Sequence, residues 1–330
     1  MSRRNGRMRS PTYVMSNIHI NVTRIAIRFS NGPHQRNTKE TSSLNHSTDA
    51  FSWSVALMPL EVHVPIFSDL VPGGFTYGAN YLVEFEPNSL WYEASLTIAA
   101  QALSSGGRTQ YHTFMHIPLE VRQGLQNLGS DLKKLEHEDK FRLIDSYTSL
   151  TGLPIQPEPA DLTGRRRLSI NDPSYLEHYT ENIVTILEKG APETDKRWLH
   201  IDDNTSIFNR YFKEQDVLNI FHTRVFQLTR ILELSAFHSV VAGVWSESFY
   251  KQFEAQCDGV IDFKAEEDEG QLENFVRVRS IRGKSCDSRW RHLHLSDHGE
   301  VMLDKSGEGK KREIGISGWL KGPTKNRGRS

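Results

Sequence analysis

The residues able to do chemistry fall into a few small groups. Trp198 to Ile201 reads as a strand ending in Asp202 and Asp203. A carboxylate at a strand end can cap the next turn, here through Asn204 and Thr205. His292 and His294 alternate on a strand and so share a face, with Asp297 and His298 close by. Imidazoles so spaced are a donor set for a metal, but His-x-His pairs are common on strands and no further shell is visible, so no metal site is expected. Arg165-Arg166-Arg167 before Leu168-Ser169 is a basic loop patch that could meet nucleic acid or accompany modification of Ser169; such runs are usually only solvated. Cys257 and Cys286 are the two cysteines, outside any CxxC pairing. They support neither a disulfide framework nor a Cys-based zinc site.

The elements that must position these groups alternate in type. A body starts near Val62. Asn80 to Phe85 is a short apolar strand, followed by a helix over about 90–103 and a Ser-Ser-Gly-Gly stop. Strands at 110–114 and 141–145 flank a helix at 119–128. The Pro-rich stretch 151–167 is a loop, and Pro173 opens a helix capped by Asp172 and stopped by Gly190. A long helix over about 215–234 carries Leu218, Phe221, Val225, Leu228 and Leu232 on one stripe, read as core packing. Phe237 to Trp245 is a buried strand and 246–256 a helix. The rhythm then changes to short strands at 259–263, 274–281, 289–295 and 300–303, with 262–270 an acidic turn facing solvent. Strand-helix alternation implies an α/β fold, a mostly parallel sheet flanked by helices, here with a C-terminal antiparallel β extension.

The net charge of −1 conceals a segregation. Residues 1–40 carry seven Arg and one Lys against Glu40, and 305–330 carry eight basic residues against Glu308 and Glu313. The segment between is acidic, with a net of −14. The expected organisation is a basic, largely disordered extension over 1–55, with one strand-like stretch at Ile18 to Phe29, then a domain over 56–304 and a basic flexible tail over 305–330. The tails could serve nucleic acid or an acidic partner, or keep the chain soluble. No apolar run reaches the ~20 residues that cross a bilayer, so no membrane partner and a cytoplasmic location are expected.

Several stretches in order resemble one family. Gly73-Gly74-Phe75-Thr76-Tyr77-Gly78 leading into Asn80-Tyr81-Leu82-Val83-Glu84 resembles the approach to the phosphate loop in KaiC-like proteins of the RecA superfamily, of archaeal type. Glu120-Val121-Arg122 with Leu128 to Leu132, and Phe141 to Tyr147, are similar to the helix and strand that follow there. Ala255 to Asp262, Val276 to Gly283 and Arg289-Trp290 resemble the C-terminal hairpin. The resemblance runs from about Pro65 to Asp304 and implies a RecA-like domain.

It also implies a phosphate-binding loop, in which glycines let backbone N–H groups converge on phosphate, a Lys neutralises charge and a Ser/Thr holds Mg²⁺. Aligned on Glu84 and Glu86-Pro87, Phe85 stands at the first Gly, Asn88 at a customary family Gly and Ser89 beside it. Leu90 takes the later Gly, Trp91 the Lys and Tyr92 the Ser/Thr. Phe85 and Leu90 would carry Cβ atoms where φ > 0 is required. Met115 and His116 stand where the family has acidic residues that polarise the attacking water. Asp202 matches the Walker-B-like Asp. Arg282 matches a basic residue that reaches a neighbouring subunit's nucleotide, while the family Lys before it is Ser280.

The resemblance therefore implies a degenerate Walker A in a non-catalytic regulatory or interaction subunit, a pseudo-ATPase that needs no cofactor. Phe85, Trp91 and Tyr92 would fill the space of the nucleotide. Such a subunit is expected in a homo-oligomer or in a hetero-complex with an active KaiC/RecA-like paralogue. Two alternatives stand beside it: a divergent ATP-binding protein or ATPase using ATP/Mg, and a nucleic-acid-binding recombinase paralogue relying on the basic ends.

Overall fold

The computed structural model describes residues 61–148 and 197–304 and, between them, Leu176, Tyr179, Thr180 and Ile183, all four helical. Expectations for 1–55, 151–167, the ends of the Pro173 helix and 305–330 lie outside the described residues. A short antiparallel pair, β1 (Glu61–Val62) with β2 (Phe75–Thr76), precedes the main sheet. There follow β3 (Asn80–Phe85), α1 (Trp91–Ser104), β4 (Thr109–Thr113), α2 (Pro118–Asn127), α3 (Leu132–His137) and β5 (Phe141–Asp145). The second half holds β6 (Trp198–Asp202), α4 (Glu214–Ile220), α5 (Phe226–Ile231), β7 (Leu234–Val241) and α6 (Glu247–Gln256). It ends in β8 (Gly259–Asp268), β9 (Gln271–Ile281), β10 (Arg291–Leu295) and β11 (Val301–Leu303).

The main sheet runs β11-β10-β9-β8-β3-β7-β6-β4-β5. From β8 to β5 every pairing is parallel, and β9, β10 and β11 add on antiparallel. The mostly parallel sheet with its antiparallel extension is thus the expected one. Parallel strands covered on both faces need apolar side chains on both. In β3, Tyr81 and Val83 belong to the same buried cluster as Ala94 and Ile98 of α1, while Leu82 belongs to the other, with Phe221, Phe226 and Phe253. The chain leaves β3 in one direction for β4 and returns through β7 to β8 on its other side. The carboxyl end of β3 is therefore the switch point in strand order, the place where such sheets form a ligand-binding crevice.

Three boundaries differ from the sequence expectation. The helix expected over 215–234 ends at Ile231, because Glu233 takes a left-handed turn (φ 54°) and Leu234 begins β7. A π-helical stretch, Phe221–Val225, interrupts it. The wide turn rotates the buried face onto Phe226 and Thr229, so Leu218, Phe221 and Val225 are buried but Leu228 and Leu232 only partly. The strand expected at 237–245 stops at Val241, and Trp245 leaves the sheet to stack on Phe249 with ring centroids 4.2 Å apart. The acidic stretch 262–270 is not a turn. β8 continues to Asp268, and the turn is Glu269-Gly270, both at positive φ (52° and 79°), the hairpin geometry that matches strand twist.

Asp262 is buried in consequence, not facing solvent. It accepts from Arg277 and Arg279, and Arg279 also pairs with Glu254 and Glu84 (Nη2 to Glu84 Oε2, 3.2 Å). One guanidinium so ties β3, β8, β9 and α6 together beside the crevice. Three carboxylates around it leave Glu84 poorly served: burial first, then Glu254, push its carboxyl up to about 7 despite Arg279. The folded chain therefore holds a proton on Glu84 that the unfolded chain loses above its ordinary pKa, and stability contributed by the site falls as pH rises from about 4.5 to 7. Glu84→Gln is expected to raise Tm, with a gain that grows from pH 5 to pH 8; thermal melts across that range check it, and a pH-independent change would contradict it.

At the other end of the sheet, Gly259 has no room for a side chain. A Cβ there would lie 2.9 Å from both the Ser280 carbonyl oxygen and Tyr81 Cδ1. Gly259→Ala should destabilise the chain by about 1–3 kcal/mol in urea denaturation, the usual cost of overpacking.

Candidate functional site

The loop between β3 and α1 lies at this carboxyl-end crevice position. Asn88 is its one residue in the left-handed region, at φ 68°, a conformation Asn tolerates well. Leu90 has φ −76°, so the expectation that glycine conformations are required at Phe85 and Leu90 is corrected. The backbone reason is that Phe85 is still strand, paired with Val241 and Phe263, and Leu90 is already the helix cap. Three of the loop's N–H groups are engaged within the protein. Glu86 N donates to Phe263 O at 3.0 Å, Ser89 N to Glu86 O at 3.1 Å and Leu90 N to Asn274 Oδ1 at 3.1 Å. Ser89 Oγ is buried without a hydrogen-bond partner among the described residues. Glu93 supplies a negative charge in the first turn of α1. At the positive end of α1, where an anion would sit, Asn274 takes one N–H and Glu93 adds a negative charge.

Trp91 is turned inward and 2% exposed. Its ring packs on Phe263 (5.2 Å between centroids) and Phe85 (6.2 Å), and its indole N–H donates to the backbone oxygen of Asp203 at 2.9 Å. Phe85 is half-buried. Tyr92 stacks face to face on the imidazole of His116, 3.5 Å apart at 14°. Burial, then Glu120 and Asp203, push the Tyr92 hydroxyl far up, so it stays protonated.

His116 in turn is held by Asp203, Nδ1 to Oδ2 at 3.1 Å. Asp203 also accepts from Phe114 N at 2.7 Å and from the Thr113 hydroxyl at 3.0 Å, so it folds the segment after β4 back onto the sheet. Met115, on that segment, is 47% exposed. Asp202, the last residue of β6, is fully buried. Its Oδ2 accepts from the Tyr179 hydroxyl and from His238 Nδ1, both at 2.7 Å. His200 Nε2 lies 3.0 Å and His112 Nδ1 3.3 Å from Oδ1. Register explains the gathering: His112 is the β4 partner of Asp202, and His238 its β7 partner. Burial opposes ionisation, yet His200, His112 and His238 outweigh it and hold the Asp202 carboxyl well below the usual range. Burial pushes His112 and His238 down. The reading of Asp202 as a cap for the next turn is corrected: Asn204 caps that turn itself, its side chain accepting from Ser206 N.

The remaining candidates lie elsewhere. Arg282 is at the amino edge of the sheet, following the end of β9 that pairs with Gly259, while the loop is at the carboxyl edge. It pairs with Asp258 at 3.2 Å and donates to Cys257 O at 3.2 Å. Arg289 pairs with Asp287, and Trp290 receives Lys264 Nζ at 4.4 Å and Arg277 Cζ at 4.5 Å over its ring. His292 and His294 meet Asp304, not the expected Asp297 and His298, because β11 brings Asp304 alongside them.

Sequence reasoning missed the three histidines about Asp202, the role of Asp203, and Asn274. The period-two spacing of His200 and Asp202 was a signal that one face of β6 is polar. The partners on β4 and β7 become visible only once the strand order is known.

Comparison with known proteins agrees with this architecture. A family model described as "ATPase: KaiC" matches residues 61–306. A UPF0273 protein of Thermotoga maritima is 23% identical over 252 residues, covering 75% of this chain and 97% of its own. One from Methanocaldococcus jannaschii is 22% identical over 190 residues, covering 56% and 71%. Among solved structures, a KaiC-like protein of Pyrococcus horikoshii aligns with a TM-score of 0.55 at 15% identity, over 75% of this chain and 99% of that one. With a match over that span and that fold, the chain belongs to the KaiC-like ATPase family of the RecA superfamily.

Proposed function

We propose that this member of the family is a non-catalytic regulatory or interaction subunit, with a degenerate Walker A that does not take ATP·Mg²⁺. The observation that carries the reading is Trp91: buried, packed on Phe85 and Phe263, and hydrogen-bonded through its indole to Asp203 O. An indole offers no charge to a triphosphate, whereas a lysine would supply charge-assisted bonds of ~1.5–3 kcal/mol each. Two further observations support it. Asp202, which would orient a Mg²⁺-bound water, has both oxygens committed to histidines and Tyr179 and is closed to solvent. His116, the one titratable side chain at the position of the family's acidic residues, is stacked under Tyr92 and tied to Asp203. The residues present do not fit a nucleotide with its magnesium.

In this reading side-chain burial replaces ligand burial, and the domain serves as a scaffold for a second copy or an active paralogue. Met115 and Leu119, exposed apolar residues on the same carboxyl edge, are where such a partner would sit. The basic segments 1–40 and 305–330 would add an electrostatic attraction to an acidic partner or nucleic acid.

Calorimetric titration of the full chain with ATP·Mg²⁺ should give no saturable binding up to millimolar nucleotide; micromolar binding with turnover would sink the proposal. Because Trp91 acts as a core residue, Trp91→Ala should lower unfolding free energy by about 3–5 kcal/mol, the usual loss on truncating a buried aromatic side chain. A neutral effect on urea denaturation would show that the indole is not filling the site.

A further inference from the structure

The terminal hairpin carries a cluster that the proposed function does not use. β10 and β11 pair as Leu293↔Leu303, His294↔Met302 and Leu295↔Val301. Leu293 and Val301 are buried and anchor the hairpin, while His292 and His294 alternate with them and face outward. The register sets Asp304 opposite His292, and two hydrogen bonds to its backbone hold it there: Asp304 N donates to His292 O at 3.0 Å, and the Arg291 side chain donates through Nη2 to Asp304 O at 2.8 Å. The carboxylate then straddles the two rings. His292 Nδ1 is 2.8 Å from Oδ2 and His294 Nδ1 is 2.7 Å from Oδ1.

We propose that His292, His294 and Asp304 form a surface site for a late first-row divalent metal ion, of which Zn²⁺ is the simplest probe. One donor atom from each residue lies within 4.8 Å of the others, a spacing that one ion can bridge. Bonds of ~2.0–2.2 Å from zinc to nitrogen and carboxylate oxygen need only small ring movements from the present contacts. Two imidazoles with one carboxylate suit zinc, copper or nickel and are a poor set for Mg²⁺ or Ca²⁺, which want six or more oxygens. The three side chains are 36%, 45% and 40% exposed, so an ion can enter and water can complete its shell. Phe275 meets the His292 ring edge-on at 5.5 Å and fixes its orientation from the side.

A second group, His112, His200 and Asp202, has similar donors but is sealed from solvent, and its carboxylate already receives hydrogen bonds from His238 and Tyr179. The hairpin is therefore where added metal should go. The hairpin site shares no residue with the β3–α1 loop.

The test uses the untagged full chain, stripped with chelator and titrated with ZnCl₂ by calorimetry and by competition with a chromophoric chelator. One Zn²⁺ should bind with micromolar or tighter affinity, with no response to MgCl₂. Asp304→Asn should weaken binding at least tenfold, and the His292→Ala/His294→Ala pair at least a hundredfold. All three residues are solvent-accessible, so circular dichroism and Tm should stay close to wild type. With Co²⁺ in place of zinc, the intense visible bands of a tetrahedral site should appear in the wild type and be lost in the double variant. Absence of binding, or equal binding by the double variant, overturns the assignment.

Discussion

The carboxylate of Asp202 is withdrawn from water at the centre of a parallel sheet, and the architecture around the crevice follows from how that charge is satisfied. Removing an ion from water costs several kcal/mol even after relaxation, so its oxygens must be met by well-placed donors. Hydrogen bonds come from His200 on β6 itself, His238 on β7 and the helical Tyr179, and His112 on β4 stands 3.3 Å from Oδ1. A slip of one residue in the register of β4 or β7 would turn its histidine to the other face of the sheet and leave the charge under-served. The hydrophobic pattern of these strands favours a parallel sheet in general, whereas the Asp202 cluster selects this pairing of it.

The neighbouring residue extends that order to the loop. Asp203 pulls the segment after β4 inward with its carboxylate and receives the Trp91 indole on its carbonyl oxygen. The β3–α1 connection thus keeps the shape of a strand-loop-helix turn, with Asn88 alone in the left-handed region. Asn274 reaches across from β9 to Leu90 N, and Phe263 O takes Glu86 N. In a phosphate loop these donors converge on the ligand. Here protein acceptors meet Glu86 N and Leu90 N.

How much of this was legible in the sequence varies with the range of the interactions. β3 and β5 lie at the residues their apolar patterns mark, because a strand buried on both faces announces itself locally. The antiparallel extension was visible in its short alternating runs, but the length of β8 was not. Its acidic residues look like a solvated turn until Arg277 and Arg279 arrive from β9 to pair with Asp262. The helix beyond Gln215 was readable as a helix but not as a broken one, since the π turn at 221–225 shifts the buried face without changing composition. Of the candidate site, the loop residues were legible through a resemblance in sequence, and their hydrogen bonds were not. The Asp202 cluster depends on strand order, which no local pattern encodes.

The two His-Asp clusters make the same point about environment. His112, His200 and Asp202 carry the donors a metal uses, as do His292, His294 and Asp304. In the first, burial lowers the affinity of His112 and His238 for protons while their hydrogen bonds stabilise the carboxylate. The donors are spent on one another, and an ion entering would have to break contacts that support four elements. In the second, the contacts tie together only the two strands of one hairpin, and solvent can replace each of them as it is broken. Identical chemistry is therefore structural at the centre of the sheet and available for binding at its edge. The difference lies in what else depends on each hydrogen bond.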